Sequence, residues 1–263
     1  LLVHGLAGDA DSPYILRVAQ RLSWLGVRAV RLNLRGAGPG FGLARRIYHA
    51  GRSDDLRRVV EWLGRQAPGS PVAVVGYSLG AALTLKLAAE AATDALPPLD
   101  CVLAANPPVD LYACSRHIQR PENRFYDRHF VRNLRAEVNR LHSRFPELGP
   151  TRVDRTRSLY DFDDQYTAAR AGFASADDYY AQSSTKARIK SIQHPGLVIH
   201  AADDPFIPVD AFLEIAFPPR LEFELVPRGG HLGYVSRNRW GHDRRWLDAR
   251  ITAWLADHWN LTG

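Results

Sequence analysis

The sequence contains the run Gly76-Tyr77-Ser78-Leu79-Gly80, which matches the pattern G-x-S-x-G. An apolar stretch over 72–75 precedes this run and an Ala- and Leu-rich stretch over 79–92 follows it, which predicts a strand, a sharp turn and a helix. Such a turn holds the serine in strained backbone geometry, and its glycines let strand and helix approach closely. We therefore expect Ser78 to be a nucleophile; a glycine-rich turn without chemistry is the alternative.

The nucleophile would need a partner, because a serine hydroxyl reacts weakly until a base takes its proton. His231 follows two glycines after the last predicted strand, over 221–226, and is the candidate base. Two adjacent acids, Asp203 and Asp204, follow the preceding predicted strand, and either could orient the histidine. The chain order is then serine, aspartate, histidine.

A second glycine-rich turn, His4-Gly5-Leu6-Ala7-Gly8, follows the first predicted strand. A turn in this position can donate a backbone N–H to the oxyanion that forms when a serine attacks a carbonyl. We expect the N–H groups of Leu6 and Leu79 to form this oxyanion hole, the second of them at the positive end of a helix. His4 is expected to support the turn rather than to react.

Buried strands alternate with amphipathic helices through most of the chain, as in a parallel sheet covered on both faces. Strands are predicted at 1–3, 27–34, 71–75, 99–104, 195–200 and 221–226, and helices at 13–25, 54–65, 79–92 and 243–258. The stretch 111–186 shows helical periodicity and few strand signals. We expect an α/β fold, a mostly parallel, doubly wound sheet built from residues 1–110 and 187–263, with residues 111–186 inserted as a helical cap.

The substrate pocket is expected between the candidate triad and this cap. Tyr77, Phe206 and Leu232 are sequence neighbours of the candidate catalytic residues, and we expect them to line the pocket. Phe173 is the expected contribution of the cap.

Further motifs are spread over nearly the whole chain: Leu2-Val3-His4-Gly5-Leu6, Asn33-Leu34-Arg35-Gly36, Tyr48-His49-Ala50-Gly51, Phe162-Asp163-Asp164, Asp178-Tyr179-Tyr180, Asp203-Asp204-Pro205 and Gly229-Gly230-His231. With them the chain resembles the YheT-like branch of α/β hydrolases, which includes eukaryotic lipases and acyltransferases. The resemblance implies an α/β-hydrolase fold and a carboxylic-ester hydrolase with Ser78, Asp204 and His231 as the charge-relay triad. It favours Asp204 over Asp203 because a proline recurs four residues after the triad acid in this superfamily. Members have a longer N-terminal part, so we expect the first strands of the sheet to be missing.

The expected reaction is cleavage of a short- or medium-chain acyl ester or a lipid-like ester through an acyl-enzyme, without metal or cofactor. Acyl transfer to an alcohol is the alternative among enzymes, and His49 and Asp54 fit an H-x4-D pattern that some acyltransferases use. An alternative of another class is a catalytically silent binding module on the same scaffold.

The formal charge of +6 lies in one segment of the chain. Residues 115–157 hold 11 Arg and 5 acids, with Arg116, Arg120, Arg124, Arg128 and Arg132 four apart. The pattern is typical of a solvated helix face, and a peripheral contact with anionic membranes is the alternative. Nucleic acid is not an expected partner, because no stacking pattern accompanies the arginines. With two cysteines in no framework spacing and no visible signal peptide, we expect a cytoplasmic protein.

Overall fold

The central sheet has six strands that are all parallel, in the order β2-β1-β3-β4-β5-β6. The computed structural model describes residues 1–240 and 243–261. The six strands are β1 (Leu2–Val3), β2 (Arg31–Leu32), β3 (Val72–Tyr77), β4 (Leu99–Ala105), β5 (Gly196–Ala201) and β6 (Leu221–Val226). The order reverses beside β1, so β1 and β3 lie at the topological switch point, where open α/β sheets bind their ligands. The predicted parallel sheet is confirmed.

Helices cover both faces of this sheet. The described α-helices are α1 (Pro13–Trp24), α2 (Ser53–Gln66), α3 (Leu79–Glu90), α4 (Leu111–Ile118), α5 (Arg124–Arg144), α6 (Leu159–Phe162), α7 (Ala169–Ala171), α8 (Ala176–Ser183), α9 (Asp210–Leu213) and α10 (Trp246–His258). Side chains of α1 and α10 pack into one buried core, and side chains of α2 and α3 pack into another. No described helix is both long and apolar enough to cross a membrane.

The strands supply both cores through the two-residue alternation of their side chains. In β3, Val72 and Val74 belong to the core on the side of α2 and α3. Ala73, Val75 and Tyr77 belong to the core on the side of α1 and α10. Because of this alternation, neighbouring side chains near the end of β3 point to opposite faces of the sheet.

Helices α4 to α8 lie between β4 and β5 in the chain, within the stretch that the sequence assigns to a cap. The buried residues Leu134 and Val138 of α5 pack with Phe162 and Tyr166 in a third, smaller core. A π-helical segment, Asp163–Ala168, joins α6 and α7. The division of the chain at 111 and 186 stays a prediction.

Two predicted elements differ from the structure at their ends. The strand expected at 27–34 is reduced to β2, because Val27 N–H donates to Leu22 O at the end of α1 and is not part of a ladder. The last helix, expected from 243, begins only at Trp246, because β8 (Asp243–Arg245) pairs with β7 (Val235–Trp240) in an antiparallel ribbon.

Candidate active site

Ser78 occupies the sharp turn between β3 and α3. Its backbone has φ 53° and ψ −120°, a conformation that non-glycine residues rarely adopt and that stores strain. The glycines of the turn are required by close contacts: a Cβ on Gly76 would lie 2.3 Å from Gly80 O, and one on Gly80 would lie 2.5 Å from His4 O. The turn therefore fixes the serine beside the residues that follow β1.

His231 connects Ser78 to Asp204. Its Nε2 lies 2.8 Å from Ser78 Oγ, and its Nδ1 lies 2.8 Å from Asp204 Oδ2. The carboxylate can only accept, so Nδ1–H donates to Asp204 and Nε2 is left to accept the serine proton. The three residues come from the ends of β3, β5 and β6, and they lie in hydrogen-bond contact although 153 positions separate the serine from the histidine.

The two adjacent acids have different contacts. Asp204 is 4% exposed, and its Oδ1 accepts from the N–H groups of Phe206 (2.8 Å) and Ile207 (3.2 Å). Asp203 Oδ1 accepts from the N–H groups of Gly229 (2.7 Å) and Gly230 (2.8 Å). Asp203 thus holds the loop that carries the histidine, whereas Asp204 contacts the histidine ring itself.

Asn106 is a residue of this site that sequence reasoning missed. It is fully buried at the end of β4, with a positive φ of 48°, and its amide nitrogen lies 2.5 Å from Asp204 Oδ2 and 3.3 Å from Gly230 O. Tyr234 O–H donates to the amide oxygen in turn. An Asn directly after a buried strand was the available signal, because Asn tolerates the left-handed conformation.

Opposing effects act on the pKa of Asp204. Burial raises it, but hydrogen bonds from His231, Asn106 and the Phe206 N–H, together with the charge of His231, outweigh burial and lower the pKa below its ordinary value. The carboxylate is therefore ionised at neutral pH, as it must be to accept from the imidazole.

The turn after β1 is held next to the serine. Gly5 is so close that a Cβ there would lie 3.0 Å from Ser78 Cβ. Gly5 N–H donates to Tyr14 OH (3.0 Å) and Ala7 N–H donates to Tyr48 OH (2.7 Å), while His4 bonds to Gly5 O (2.8 Å). Between these anchors, the N–H of Leu6 has no acceptor among the described residues.

Leu79 is the first residue of α3, so its N–H has no partner within the helix. Leu6 and Leu79 both line the same cavity as Ser78 and His231. In the described part of the chain neither of these N–H groups donates to a protein acceptor, and their role as oxyanion donors stays a prediction.

The cavity over Ser78 and His231 has a volume of about 110 Å³ and mostly apolar walls. Phe206 lines it, as predicted, with its ring centroid 4.5 Å from that of His231. The apolar lining from the rest of the chain is Ile47, Pro108, Leu111, Ile118, Phe130, Leu134, Leu159, Phe162 and Ile207. Polar groups of the wall include His49, Ser115, Asp163 and Tyr180.

Three predicted pocket residues do not line this cavity. Tyr77 is fully buried on the other face of the sheet, 4.7 Å from the Tyr14 ring, because side chains alternate along β3. Leu232 packs against that same core. Phe173 packs on the rings of His49 and Tyr179, behind the cavity wall. Adjacency in sequence was the wrong guide at Tyr77 and Leu232, whereas Phe173 was expected as a cap residue.

The H-x4-D pair is not assembled. His49 is 8% exposed and lines the cavity, whereas Asp54 is exposed in the first turn of α2 and has no hydrogen bond with His49. Helix α2 begins at Ser53 without a side-chain cap. The serine hydroxyl instead donates to Glu90 over 2.6 Å.

Comparison with known proteins decides the family. A family model described as alpha/beta hydrolase fold matches residues 1–237. The chain belongs to the α/β hydrolase family. The putative esterase YheT of Escherichia coli is 34% identical over 98% of this α/β hydrolase and 76% of its own length, which confirms the YheT-like resemblance.

Eukaryotic relatives match over a smaller part of their length. Mouse phospholipase ABHD3 is 30% identical over 89% of this α/β hydrolase, which spans 58% of that protein. The monoacylglycerol lipase of Saccharomyces cerevisiae is 26% identical, and 58% of it is spanned. Among solved structures, the Pyrococcus furiosus esterase Pf2001 has a TM-score of 0.60 at 16% identity, covering 97% of this chain and 81% of that one. That likeness shows the shared fold.

Proposed function

We propose that this α/β hydrolase cleaves carboxylic esters with Ser78 as nucleophile, His231 as general base and Asp204 as the acid that orients the imidazole. The observation that carries the proposal is the continuous pair of 2.8 Å contacts from Ser78 Oγ through the His231 ring to Asp204. The esterase, lipase and phospholipase names of the relatives support the ester class of substrate.

In the first half of the reaction, Ser78 Oγ attacks the ester carbonyl while its proton passes to His231 Nε2. The N–H groups of Leu6 and Leu79 bind the oxyanion of the tetrahedral intermediate. His231 then gives the proton to the leaving alcohol, and the acyl group stays on the serine. In the second half, water loses a proton to His231 and attacks the acyl-enzyme; the bond from the acyl carbon to Ser78 Oγ then breaks, His231 returns the proton to Ser78 Oγ, and the carboxylic acid is released.

The test is labelling with a fluorophosphonate, which reacts with an activated serine, together with hydrolysis of p-nitrophenyl esters of graded chain length. We expect labelling and turnover of the wild type and neither in Ser78→Ala. Ser143→Ala, at an exposed serine of α5, is the matched control and should retain both. Equal labelling of wild type and Ser78→Ala, or no cleavage of any ester, would favour the silent binding module.

Acyl transfer is the second reaction that the same acyl-enzyme permits. It is suggested by a relative at 27% identity, the medium-chain fatty acid ethyl ester synthase/esterase 2 of Saccharomyces cerevisiae. Added ethanol would compete with water for the acyl-enzyme and give the ethyl ester. If only the free acid and no ethyl ester formed at high ethanol concentration, acyl transfer to ethanol would be ruled out.

We also propose that the exposed start of α5 contacts anionic lipid surfaces. Phe125 is 76% exposed there, beside the exposed cations Arg124, Arg128 and Arg132. An apolar anchor among arginines is typical of peripheral membrane contact. In the predicted stripe, Arg116 lies in α4, Arg120 lies between the helices, and the other three arginines lie in α5, so the proposal concerns only the α5 part.

Aromatic contacts support this orientation of the protein on a lipid surface. Phe125 contacts Tyr126 (6.0 Å between ring centroids), and Tyr126 contacts Phe206 (4.9 Å), which lies against His231. A row of rings thus runs from the exposed anchor to the candidate base. An ester leaving the lipid surface at α5 would remain on apolar surface until it reached the cavity.

A further inference from the structure

The start of β4 contains a β-bulge that turns two potential metal ligands to the same side of the sheet. Val72 pairs with Leu99, whereas the next residue of β3, Ala73, pairs with Cys101. Asp100 is therefore an extra residue in β4. Leu99 packs into the core on the side of α2 and α3, and Cys101 packs into the core on the side of α1 and α10. Regular alternation would have turned both side chains to one face.

Asp100 and Cys101 meet His258 at the end of α10. His258 Nε2 donates to Asp100 Oδ2 over 2.9 Å, although 158 positions separate the two residues. The sulfur of Cys101, a ring nitrogen of His258 and a carboxylate oxygen of Asp100 all lie within 4.8 Å of one another. Among the residues that the structure describes, this is the one group in which three such ligand atoms come so close together.

The cluster has a buried side and a solvent side. Cys101 is fully buried, whereas the side chains of Asp100 and His258 are 35% and 24% exposed. A cation can therefore reach the carboxylate and the imidazole from solvent, with the sulfur beneath them. Burial, together with the charge of Asp100, raises the pKa of the Cys101 thiol, so the thiol keeps its proton until a cation binds.

Two tryptophans of α10 and its C-terminal end hold the partly exposed members of the cluster. Trp259 Nε1–H donates to Asp100 Oδ2 over 2.8 Å, and the Trp254 ring stacks on the His258 ring with 4.9 Å between centroids. Outer contacts of this kind fix the orientation of metal-binding side chains and raise their affinity for the metal. Both exposed members of the cluster are thus oriented before any cation arrives.

The three donor atoms select the class of cation. Thiolate, imidazole and carboxylate are all ligands of Zn²⁺, whereas Ca²⁺ and Mg²⁺ select oxygen. The separations in the cluster, from 2.9 Å to at most 4.8 Å, bracket the spacing of about 3.3 to 3.8 Å between ligand atoms in a tetrahedral zinc site. Small side-chain rotations would therefore complete the geometry.

We propose that Asp100, Cys101 and His258 bind Zn²⁺, with water in the fourth tetrahedral position. On binding, the Cys101 S–H bond breaks, its proton passes to solvent, and the sulfur bonds to the cation. The proton of the neutral His258 ring moves to the nitrogen that faces away from the cluster, so the other nitrogen can coordinate.

The proposed site is separate from the candidate triad. Asp100 is the second residue of β4, and Asn106, which contacts Asp204, directly follows that strand. Six residues of strand span roughly 20 Å. Zn²⁺ would thus tie the end of α10 to the sheet and would not take part in ester cleavage. This inference therefore stands or falls independently of the proposed function.

The experiment titrates the full chain with Co²⁺, which replaces Zn²⁺ and gives a charge-transfer band in the near ultraviolet when a thiolate binds it. Cys114→Ala serves as the background, because Cys101 is then the remaining cysteine. We expect one Co²⁺ per chain with this band, which Zn²⁺ removes by displacement. Adding Cys101→Ser should abolish the band.

The affinity for Zn²⁺, measured by competition with Co²⁺, should fall by at least about one hundred-fold in Asp100→Asn and in His258→Gln. Trp259→Phe removes only an outer contact and should lower the affinity about ten-fold. His129→Gln, at an exposed histidine of α5, is the matched control and should bind Zn²⁺ like the background protein.

Circular dichroism without metal identifies any variant that fails to fold, and His258→Gln, at a partly exposed helix end, keeps the test usable if Cys101→Ser does not. Absence of the charge-transfer band in the folded background protein would overturn the inference. So would a band that persists in Cys101→Ser, or Zn²⁺ affinities of Asp100→Asn and His258→Gln equal to that of His129→Gln, because the cation would then be bound adventitiously elsewhere.

Discussion

The side-chain nitrogen of Asn106 lies 2.5 Å from Asp204 Oδ2, the same oxygen that accepts from His231 Nδ1. Asn106 follows β4 and Asp204 follows β5, so the contact joins the ends of two neighbouring strands at the edge of the sheet that carries the site. The amide and the imidazole together hold this oxygen in one position. Asn106 is therefore a positioning residue for the candidate triad.

Replacing Asn106 with glycine should lower kcat by about ten- to one-hundred-fold, as expected for a lost hydrogen bond to a charged group. Glycine keeps the positive φ, so the backbone is preserved while the amide is removed. KM should stay near the wild-type value, since Asn106 does not line the cavity. Steady-state kinetics measure whether the loss lies in kcat and not in KM. Tyr234→Phe, which leaves the Asn106 amide in place, should have a smaller effect, and a rise in KM at constant kcat would contradict the role.

Asp204→Asn and Asp203→Asn should differ strongly in activity. The first removes the acceptor for His231 Nδ1–H and should lower kcat by about 10⁴-fold, because an amide favours the wrong imidazole tautomer. The second leaves an amide oxygen that can still accept from the N–H groups of Gly229 and Gly230, so we expect a loss of less than about ten-fold. Turnover of one p-nitrophenyl ester measures both variants. A larger loss in Asp203→Asn would reverse the assignment of the triad acid.

Local sequence patterns were sufficient to predict the parallel sheet and the positions of Ser78 and His231. Strand–helix alternation is a period read directly from the residues, and Gly76 is demanded by its contact with Gly80 O only four positions away. Asn106 was missed because its role depends on the pairing of β4 with β5, residues nearly one hundred positions apart. A strand end alone does not reveal which strand lies next to it.

The wrong pocket residues have a related physical cause. Tyr77 precedes the nucleophile directly, but two-residue alternation turns its side chain to the opposite face of the sheet. That error could have been avoided from the strand pattern itself. The position of Phe173 behind His49 could not have been predicted in this way, because it depends on how the helices between β4 and β5 pack on the loop before α2.

Glu137 should make stability depend on pH. Its Oε1 is buried without a hydrogen-bond partner, and burial raises its pKa from 4.5 to about 7. Between these values the folded state keeps a proton that the unfolded state has released, so stability falls as pH rises from about 4.5 to about 7. Glu137→Gln removes this dependence, and its advantage over the wild type should grow to at most about 3 kcal/mol above pH 7.

Urea unfolding of both proteins across this pH range measures the difference in the free energy of unfolding. Glu122→Gln, at an exposed acid before α5, is the matched control and should give no comparable trend. A difference between Glu137→Gln and the wild type that is constant with pH would show that Glu137 does not titrate in this range.

The α5 surface should bind vesicles that contain phosphatidylglycerol and not vesicles of phosphatidylcholine alone. Replacing both Arg124 and Arg128 with alanine should weaken binding to the anionic vesicles about thirty-fold, since each cation near an anionic surface contributes about 1 kcal/mol. Phe125→Ala should weaken binding through the lost apolar anchor. Co-sedimentation measures each variant, with Arg58→Ala/Arg65→Ala on α2 as the control of equal charge. Binding that is insensitive to salt, or lost equally in the control, would refute a specific α5 contact, because exposed charges are screened by salt.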